Sequence, residues 1–127
     1  MVAYSFKQQF VASILSGAKR QTIRADRKRH AREGEALQLY TGMRTRQCAL
    51  IGRAVCEATL PVRLDFVRSK IELAGENLTD PRELDAFARI DGFDYWYDLF
   101  AFWKENHAET RLFSGVVIRW NEFRPAP

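Results

Sequence analysis

The octet at positions 17–24, Gly-Ala-Lys-Arg-Gln-Thr-Ile-Arg, combines an amine, a hydroxyl and a guanidinium in a short length of chain. Its opening glycine permits a tight backbone turn, and the adjacent β-branched Thr22 and Ile23 favour the start of a strand. On a strand, Thr22 and Arg24 point to one face and Ile23 points to the other. We therefore expect the Lys19 amine, the hydroxyl and the guanidinium to converge on one cleft, while Ile23 faces a core.

This combination suggests nucleophilic chemistry. A threonine hydroxyl is a weak nucleophile and needs a base to take its proton. Lysine can be that base only if its pKa falls from about 10.4 towards neutrality, and burial or nearby cations such as Arg20 and Arg24 would lower it. The residues therefore predict attack by Thr22 with Lys19 as base, while Arg24 or backbone N–H groups stabilise the oxyanion.

The N-terminal half of the chain is predicted to frame the octet with one helix and several strands. An apolar stripe at helical spacing predicts a helix over residues 8–16, ended by Gly17. Residues 25–33 are basic and lack apolar periodicity, which predicts a loop. Strands are predicted at 4–6, 36–40 and 48–60, with a bulge or close backbone approach at Gly52 and an interruption at Pro61.

The C-terminal half is predicted to hold two helices before a closing strand. Residues 62–73 offer one or two strands, and a tight turn follows at Gly75. Thr79 or Asp80 can cap a helix that has Pro81 at its first position.

That helix is broken at Asp91-Gly92-Phe93, and Asp94 is the candidate N-cap of the next one. Aromatic residues then recur at helical spacing, and we interpret them as core rather than as a base-stacking surface: Phe93, Trp96, Phe100 and Trp103. Residues 112–120 predict the last strand, followed by a loose tail that contains Pro125 and Pro127.

This order of elements predicts an α+β fold, a small mixed and mostly antiparallel β-barrel with covering α-helices. The chain has 127 residues, which suits one domain spanning 1–127 with a genuine core. No apolar run approaches the ~18 residues of a membrane span, and no signal-peptide pattern is evident at the N-terminus. We therefore expect a cytoplasmic protein that does not contact a membrane.

The octet pattern Gly-x-Lys-x-x-Thr-x-Arg resembles the signature of the ASCH (activating signal cointegrator homology) family, a relative of the PUA-type RNA-binding barrels. The order of the flanking elements also fits this family over nearly the whole chain: the apolar run before Gly17, the turn and strand after Gly34, the segment 88–93 and the closing strand 116–120. The resemblance implies the same PUA-like barrel with covering helices.

Some bacterial ASCH-type proteins are amidohydrolases that remove the acetyl group from N4-acetylcytidine with a lysine, a threonine and a carboxylate. By this resemblance Lys19 and Thr22 are the catalytic lysine and threonine, and Arg24 is the motif arginine. The carboxylate maps to Asp91, at a position where such proteins often carry glutamate. The resemblance thus implies an enzyme that needs no cofactor and no metal and acts on an acetylated nucleoside.

Two other functions remain open on sequence. The same cleft could bind an RNA base or a phosphate without turnover, as the PUA-like relationship suggests. RNA cleavage has also been attributed to ASCH-type proteins, and a metal-dependent ribonuclease would need carboxylate or histidine ligands. This chain has two histidines, His30 and His107, and their spacing is not that of a pair of metal ligands.

Positive charge is concentrated around the octet. The net charge is +4 and the isoelectric point is about 9.3, which favours a phosphate-bearing partner such as RNA or a nucleotide. The residues predicted to bind substrate or nucleic acid are Arg24, Arg27, Lys28, Arg29, Tyr40 and Arg44.

The two cysteines, Cys48 and Cys56, fall in one strand-like run. An extended chain would hold them about 26 Å apart, far beyond disulfide reach. We therefore expect both to be reduced thiols within the core.

The basic residues predict salt-dependent binding to RNA. Phosphates should bind near residues 24–32 or near Arg44, and the affinity for a short RNA should fall steeply as salt rises, because binding releases counterions. Fluorescence anisotropy at increasing salt concentrations measures this directly. Binding that does not depend on salt, or no binding even at low salt, would contradict the prediction.

Overall fold

A computed structural model describes residues 1–127, and their strands form one seven-stranded sheet. The strands are β1 (Val2–Phe6), β2 (Gln21–Ala25), β3 (Ala36–Thr41), β4 (Ala49–Asp65), β5 (Lys70–Leu73), β6 (Glu76–Leu78) and β7 (Leu112–Pro125). The helices are α1 (Val11–Ser16), which follows a 3₁₀ turn at Gln8–Phe10, α2 (Pro81–Ile90) and α3 (Trp96–Asn106). None of these helices has the length and apolarity needed to cross a membrane.

Strand pairing confirms a mixed, mostly antiparallel α+β architecture. β1 and β3 are parallel, whereas every other pair is antiparallel. β4 and β7 lie at the centre and pair along most of their length. β1 pairs only with β3, and β2 pairs only with β7. No main-chain ladder therefore joins β1 to β2, and the strand pairing does not confirm a closed barrel.

β4 is longer than the sequence predicted, because it runs through Pro61. The Pro61 carbonyl accepts a hydrogen bond from the Ala74 N–H at 2.9 Å, on the side where β5 lies. The N–H and C=O of a strand residue point to the same side, so the missing N–H of Pro61 also faces that side and not β7. The missing N–H therefore lies at the end of the β4–β5 ladder, which begins at Val62, and it removes no bond to β7.

The prediction for Gly52 is confirmed in both of its forms. The β3–β4 register skips one residue beside it, from Leu39 opposite Gly52 to Tyr40 opposite Leu50. A side chain at Gly52 would lie 2.4 Å from the carbonyl oxygen of Arg124. β4 pairs with β3 through residues 49–55, on both sides of this bulge, and with β5 through residues 62–65.

Three of the four predicted helix termini are confirmed, including the end of α2 at Ile90, directly before the Asp91-Gly92-Phe93 segment. Gly17 ends α1 in the left-handed conformation with φ 84°, and the Asp80 carboxylate caps α2 by accepting from the Arg82 N–H at 2.8 Å. Asp94 does not cap α3. The N-cap is Tyr95, whose N–H donates to the Asp98 carboxylate at 3.1 Å, so a side chain inside the helix supplies the cap.

Two apolar cores lie on either side of the central strands. The first packs α1, β1 and β3 around the fully buried Trp120. The second packs α2 and α3 on the C-terminal half of β4 and on β5. The predicted aromatic row belongs here: Trp103 is 8% exposed, while Phe93, Trp96 and Phe100 are half-buried and pack against the second core. These residues attach α3 to the sheet.

Two further predictions from the sequence are wrong. β7 continues to Pro125, and the Ala126 N–H donates to the Ile51 carbonyl at 2.9 Å, so the end of the chain is a paired strand and not a loose tail. Cys48 is exposed, whereas Cys56 is buried as expected, and both are free thiols.

Trp103→Ala should destabilise the fold by about 3–5 kcal/mol, because it leaves a cavity between α3 and the sheet. Tyr97→Ala is the matched control on the same helix. Its side chain is 77% exposed, so its effect should stay within about 0.5 kcal/mol. Urea unfolding monitored by far-UV circular dichroism, a signal that does not require tryptophan fluorescence, measures the free energy of unfolding of both variants. Equal stabilities for the two variants would contradict the core assignment.

Candidate active site

The octet is fixed to the carboxyl end of α2 by main-chain hydrogen bonds. The Arg20 N–H donates to the Ile90 carbonyl at 2.8 Å, and the Arg20 carbonyl accepts from the Trp120 N–H at 2.9 Å. The start of β2 is therefore held between the helix end and β7. Lys19 and Gln21, which flank this anchor, are both buried.

The end of α2 has the geometry that this contact needs. Gly92 adopts φ 96°, a conformation that favours glycine. Its N–H donates to the Arg89 carbonyl at 3.0 Å, and the Phe93 N–H donates to the Ala88 carbonyl at 2.9 Å. This pair of bonds is a Schellman motif. The Asp91 carbonyl remains available, and the Lys19 Nζ donates to it at 2.6 Å.

The Lys19 amine lies in a largely apolar environment. The side chain is 4% exposed, and its Nζ is 3.9 Å from Oδ1 of Asp91. The same nitrogen lies 4.7 Å from the ring centre of Phe10 and 5.8 Å from that of Phe6. Burial lowers the pKa of Lys19 below its usual value, and the Arg24 cation adds to this effect, while Asp91 opposes it.

Asp91 has the complementary perturbation. Burial raises the pKa of its carboxyl group, against the opposing effects of Lys19 and of the Gln21 hydrogen bond. A neutral lysine with a protonated aspartic acid carries the same number of protons as the ion pair of the two. Burial disfavours charge, and it therefore shifts this internal balance towards the neutral pair.

Thr22 and Arg24 share one face of β2, as predicted. Thr22 is 5% exposed, and its Oγ1 accepts from Nε of Arg24 at 2.9 Å. Nη2 of Arg24 donates to the Ser5 carbonyl at 2.6 Å. The guanidinium thus crosses from β2 to β1, where the sheet has no main-chain ladder, and it stacks over the Tyr4 and Phe6 rings.

These groups open onto one cleft of about 340 Å³. The residues predicted from the octet and the α2 terminus all line it: Lys19, Thr22, Arg24 and Asp91. Sequence reasoning missed the remaining wall, which is aromatic and basic and includes Phe6, Lys7, Phe10, Phe102, Trp103 and His107. These residues come from β1, the 3₁₀ turn and α3, so only the tertiary fold relates them to the octet.

The other predicted binding residues lie outside this cleft. Arg27, Lys28 and Arg29 are exposed on the loop after β2. The Arg27 guanidinium stacks on the outer part of the first core, 4.9 Å from the ring centre of Tyr4, and Arg29 pairs with Glu35.

Tyr40 and Arg44 are also separate from the cleft. Tyr40 is half-buried on β3, opposite Ser5 of β1. Arg44 is exposed in the turn after β3 and has a positive φ of 70°.

Neither histidine belongs to a cluster of potential metal ligands. His30 is hydrogen-bonded to the Tyr4 hydroxyl at 3.0 Å and to the Ala25 carbonyl at 2.9 Å, and His107 lies at the edge of the cleft. No group of three or more histidine, cysteine, aspartate or glutamate side chains is placed to hold a metal ion.

Gly92→Ala should disturb the site as well as the helix end. A left-handed conformation costs a non-glycine residue about 1–2 kcal/mol, and the new Cβ would lie 3.1 Å from the Lys19 side chain. Gly75→Ala is the matched control, since φ is 86° there and nothing lies within 4 Å.

Chemical unfolding measures the stability that each variant loses. The NMR resonances around Lys19 show whether the packing of this residue changes. We expect a larger loss of stability for Gly92→Ala, and displaced Lys19 resonances in that variant alone. Equal losses with unchanged Lys19 resonances would contradict the packing of the lysine stem on Gly92.

Comparison with known proteins identifies the fold. No protein-family model and no curated protein matches the chain. Among solved structures, it is similar to the crystal structure of ASCH from Zymomonas mobilis, with a TM-score of 0.58 and 15% identity over 97% of this chain and 68% of the other. A tyrosine-to-phenylalanine mutant of that protein gives a TM-score of 0.57 at 15% identity, over 97% of this chain and 70% of the other. The chain therefore has the fold of this ASCH protein, which is the fold that the sequence resemblance implied.

Proposed function

We propose that the chain is an amidohydrolase that acts on an acetylated nucleoside such as N4-acetylcytidine, with Thr22 as nucleophile, Lys19 as base and Asp91 as acid. One observation carries this proposal: a lysine amine and a carboxyl group are buried against each other and line the same cleft as a threonine hydroxyl. Buried ionisable groups with strongly perturbed pKa values are typical of catalytic sites.

The first step is attack on the acetyl carbonyl. The neutral Lys19 amine takes the proton of the Thr22 hydroxyl as the oxygen forms a bond to the carbonyl carbon. Nε of Arg24 donates to that oxygen in the free protein, which stabilises negative charge as it develops there. The sequence analysis assigned Arg24 to the oxyanion. In the proposed mechanism Arg24 instead helps to activate the Thr22 nucleophile.

The second step breaks the C–N bond. The leaving nitrogen needs a proton, and the raised pKa of Asp91 keeps its carboxyl group protonated to a higher pH than usual. The departing nitrogen takes that proton, and the acetyl group remains as an ester on Thr22. A water molecule then attacks the ester and gives its proton to the Asp91 carboxylate, while Lys19 returns a proton to the Thr22 oxygen, so acetate leaves and the site is regenerated.

The shape of the cleft also suits a nucleobase. About 340 Å³ is at the small end of the range for ligand pockets, and aromatic rings from Phe10, Phe102 and Trp103 form much of its wall. A planar base can lie against such a wall, with its acyl group directed towards Thr22.

A non-catalytic RNA- or nucleotide-binding module is the second candidate. The exposed Arg27 and Lys28 on the loop after β2 favour it, because cations that are free to meet phosphates give sequence-independent affinity. The loop adjoins the cleft through Ala25, the last residue of β2, which lines the cleft and leads directly into the loop. The same surface would help the enzyme if its substrate base is part of an RNA.

Lys19→Ala and Thr22→Ala should each remove nearly all hydrolysis of N4-acetylcytidine while the fold survives. Residues that act as one unit are not additive, so the double variant should be little worse than either single one. Lys70→Ala, on β5 and outside the cleft, is the matched lysine control and should keep full activity. Release of acetate, with and without a chelator, measures this.

A wild-type protein that binds cytidine derivatives without turnover would reject the enzyme and favour the binding module. Cleavage of a short RNA that a chelator abolishes, without release of acetate, would favour a metal-dependent ribonuclease instead, because the proposed mechanism needs no metal.

The pH dependence of kcat/KM should be bell-shaped. Activity should rise with pH as Lys19 loses its proton, and this limb lies below the usual lysine range because burial lowers its pKa. Activity should fall at higher pH as Asp91 ionises, and this limb lies above the usual aspartate range because burial raises its pKa. The two limbs belong to the coupled pair and not to one residue each.

Asp91→Asn should lower kcat and remove the alkaline limb. An alkaline limb that persists in this variant would show that Asp91 is not the group that must stay protonated.

A further inference from the structure

Gln21 is a buried polar residue that the proposed mechanism does not use. Its side chain is 0% exposed, a condition in which an amide must have partners for all of its polar atoms or lose stability. The amide has one donor and one acceptor as partners. Nε of Arg119 donates to it at 2.9 Å, and it donates to Oδ1 of Asp91 at 3.1 Å. The amide thus forms a bridge from β7 to the end of α2.

The chemistry of Arg119 fixes the orientation of this amide. A guanidinium N–H can only donate, so the Gln21 atom facing Arg119 must be the oxygen Oε1. The nitrogen Nε2 must then face Asp91. Arg119 is directly opposite Gln21 in the β2–β7 register, so the two side chains are held together by the sheet itself.

The Gln21 amide in turn determines which oxygen of Asp91 can carry a proton. Nε2 donates to Oδ1, and the carbonyl oxygen of a protonated carboxyl group is a better acceptor than its hydroxyl oxygen, so this bond favours the proton on Oδ2. Every fully buried side-chain oxygen has a hydrogen-bond partner. Oδ2 of Asp91 makes no hydrogen bond, so it is not one of the fully buried oxygens. Oδ2 is therefore accessible, and Asp91 lines the cleft.

We propose that Gln21, held by Arg119, is a positioning residue that fixes Oδ1 of Asp91 as an acceptor and so directs the acidic proton to Oδ2, the oxygen open to the cleft. This inference rests on the proposed function for its catalytic consequence. The arrangement of Gln21 and Asp91 itself can be tested whether or not the chain is an enzyme.

The consequence for catalysis is a choice between two oxygens. A proton on Oδ2 can pass to a leaving nitrogen in the cleft, whereas a proton on Oδ1 would face the amide and could not. Without the Gln21 bond, the proton is distributed over both oxygens, and the carboxyl group can rotate. Gln21 thus supports kcat and contributes little to substrate binding, because it does not line the cleft.

Gln21→Met tests the inference, since it keeps the length of the side chain and removes both hydrogen bonds. We expect the pKa of Asp91, followed by the ¹³C resonance of its carboxyl group, to move upwards, because the lost bond stabilised the ionised form. We expect kcat to fall roughly tenfold or more, the order of one lost bond to a charged group, with KM nearly unchanged. Gln38→Met on β3 is the matched control and should change neither quantity.

A second measurement on the wild-type protein applies even if Gln21→Met does not fold. The side-chain amide resonances of Gln21 should titrate together with Asp91, and one of the two amide protons should exchange slowly with solvent. Amide resonances that ignore the Asp91 titration, or an unchanged Asp91 titration in Gln21→Met, would overturn the inference. A wild-type protein without amidohydrolase activity would instead overturn the proposed function, and the titration would still decide the role of Gln21.

Discussion

The burial of one amine at the end of one helix is the constraint on which the site depends. A lysine amine taken out of water needs acceptors, and the last carbonyl groups of a helix are acceptors that carry partial negative charge. The Lys19 Nζ meets this need at the Asp91 carbonyl. The contact is possible only because α2 ends at that residue and because Gly92 turns the chain away in a left-handed conformation.

The same region is where the sheet is left incomplete. A ladder between β1 and β2 would join the two strands by main-chain bonds. The Arg24 side chain takes the place of that ladder with a single bond to the Ser5 carbonyl. A side chain can bridge two strands and still leave a cleft beside it, and the open edge therefore supplies both the space and a cation for a ligand.

Local signals made part of this site predictable. The alternation of a strand placed Thr22 and Arg24 on one face, and the Asp91-Gly92-Phe93 segment predicted the end of α2. The contact between Lys19 and Asp91 is between residues far apart in the chain, so periodicity could not reveal it, and it was assigned from a family resemblance. Gln21 lies on the same face of β2 as Ile23, the face that was predicted to meet a core, and no local pattern indicates that its amide pairs with Asp91 and Arg119.

The wrong predictions have a similar origin, since tertiary partners overrode each local signal. Pro61 continues a strand because its missing N–H lies at the end of the β4–β5 ladder and faces away from β7. Cys48 lies in the exposed segment before β4, and the first residue of that strand, Ala49, is exposed too. The Asp94 side chain was a plausible cap, but the Asp98 carboxylate supplies the cap from within α3.

The pairing of Lys19 with Asp91 also determines how the proposed base would be generated. The neutral pair and the ion pair contain the same number of protons. A change of pH therefore does not convert one into the other as long as the pair as a whole neither gains nor loses a proton. Their balance depends instead on how well the surroundings solvate charge. A ligand that fills the cleft expels water and lowers the local dielectric response, which makes separated charges less favourable. Under the proposed mechanism, substrate binding therefore favours the free amine and the protonated acid, the two forms that attack and departure require.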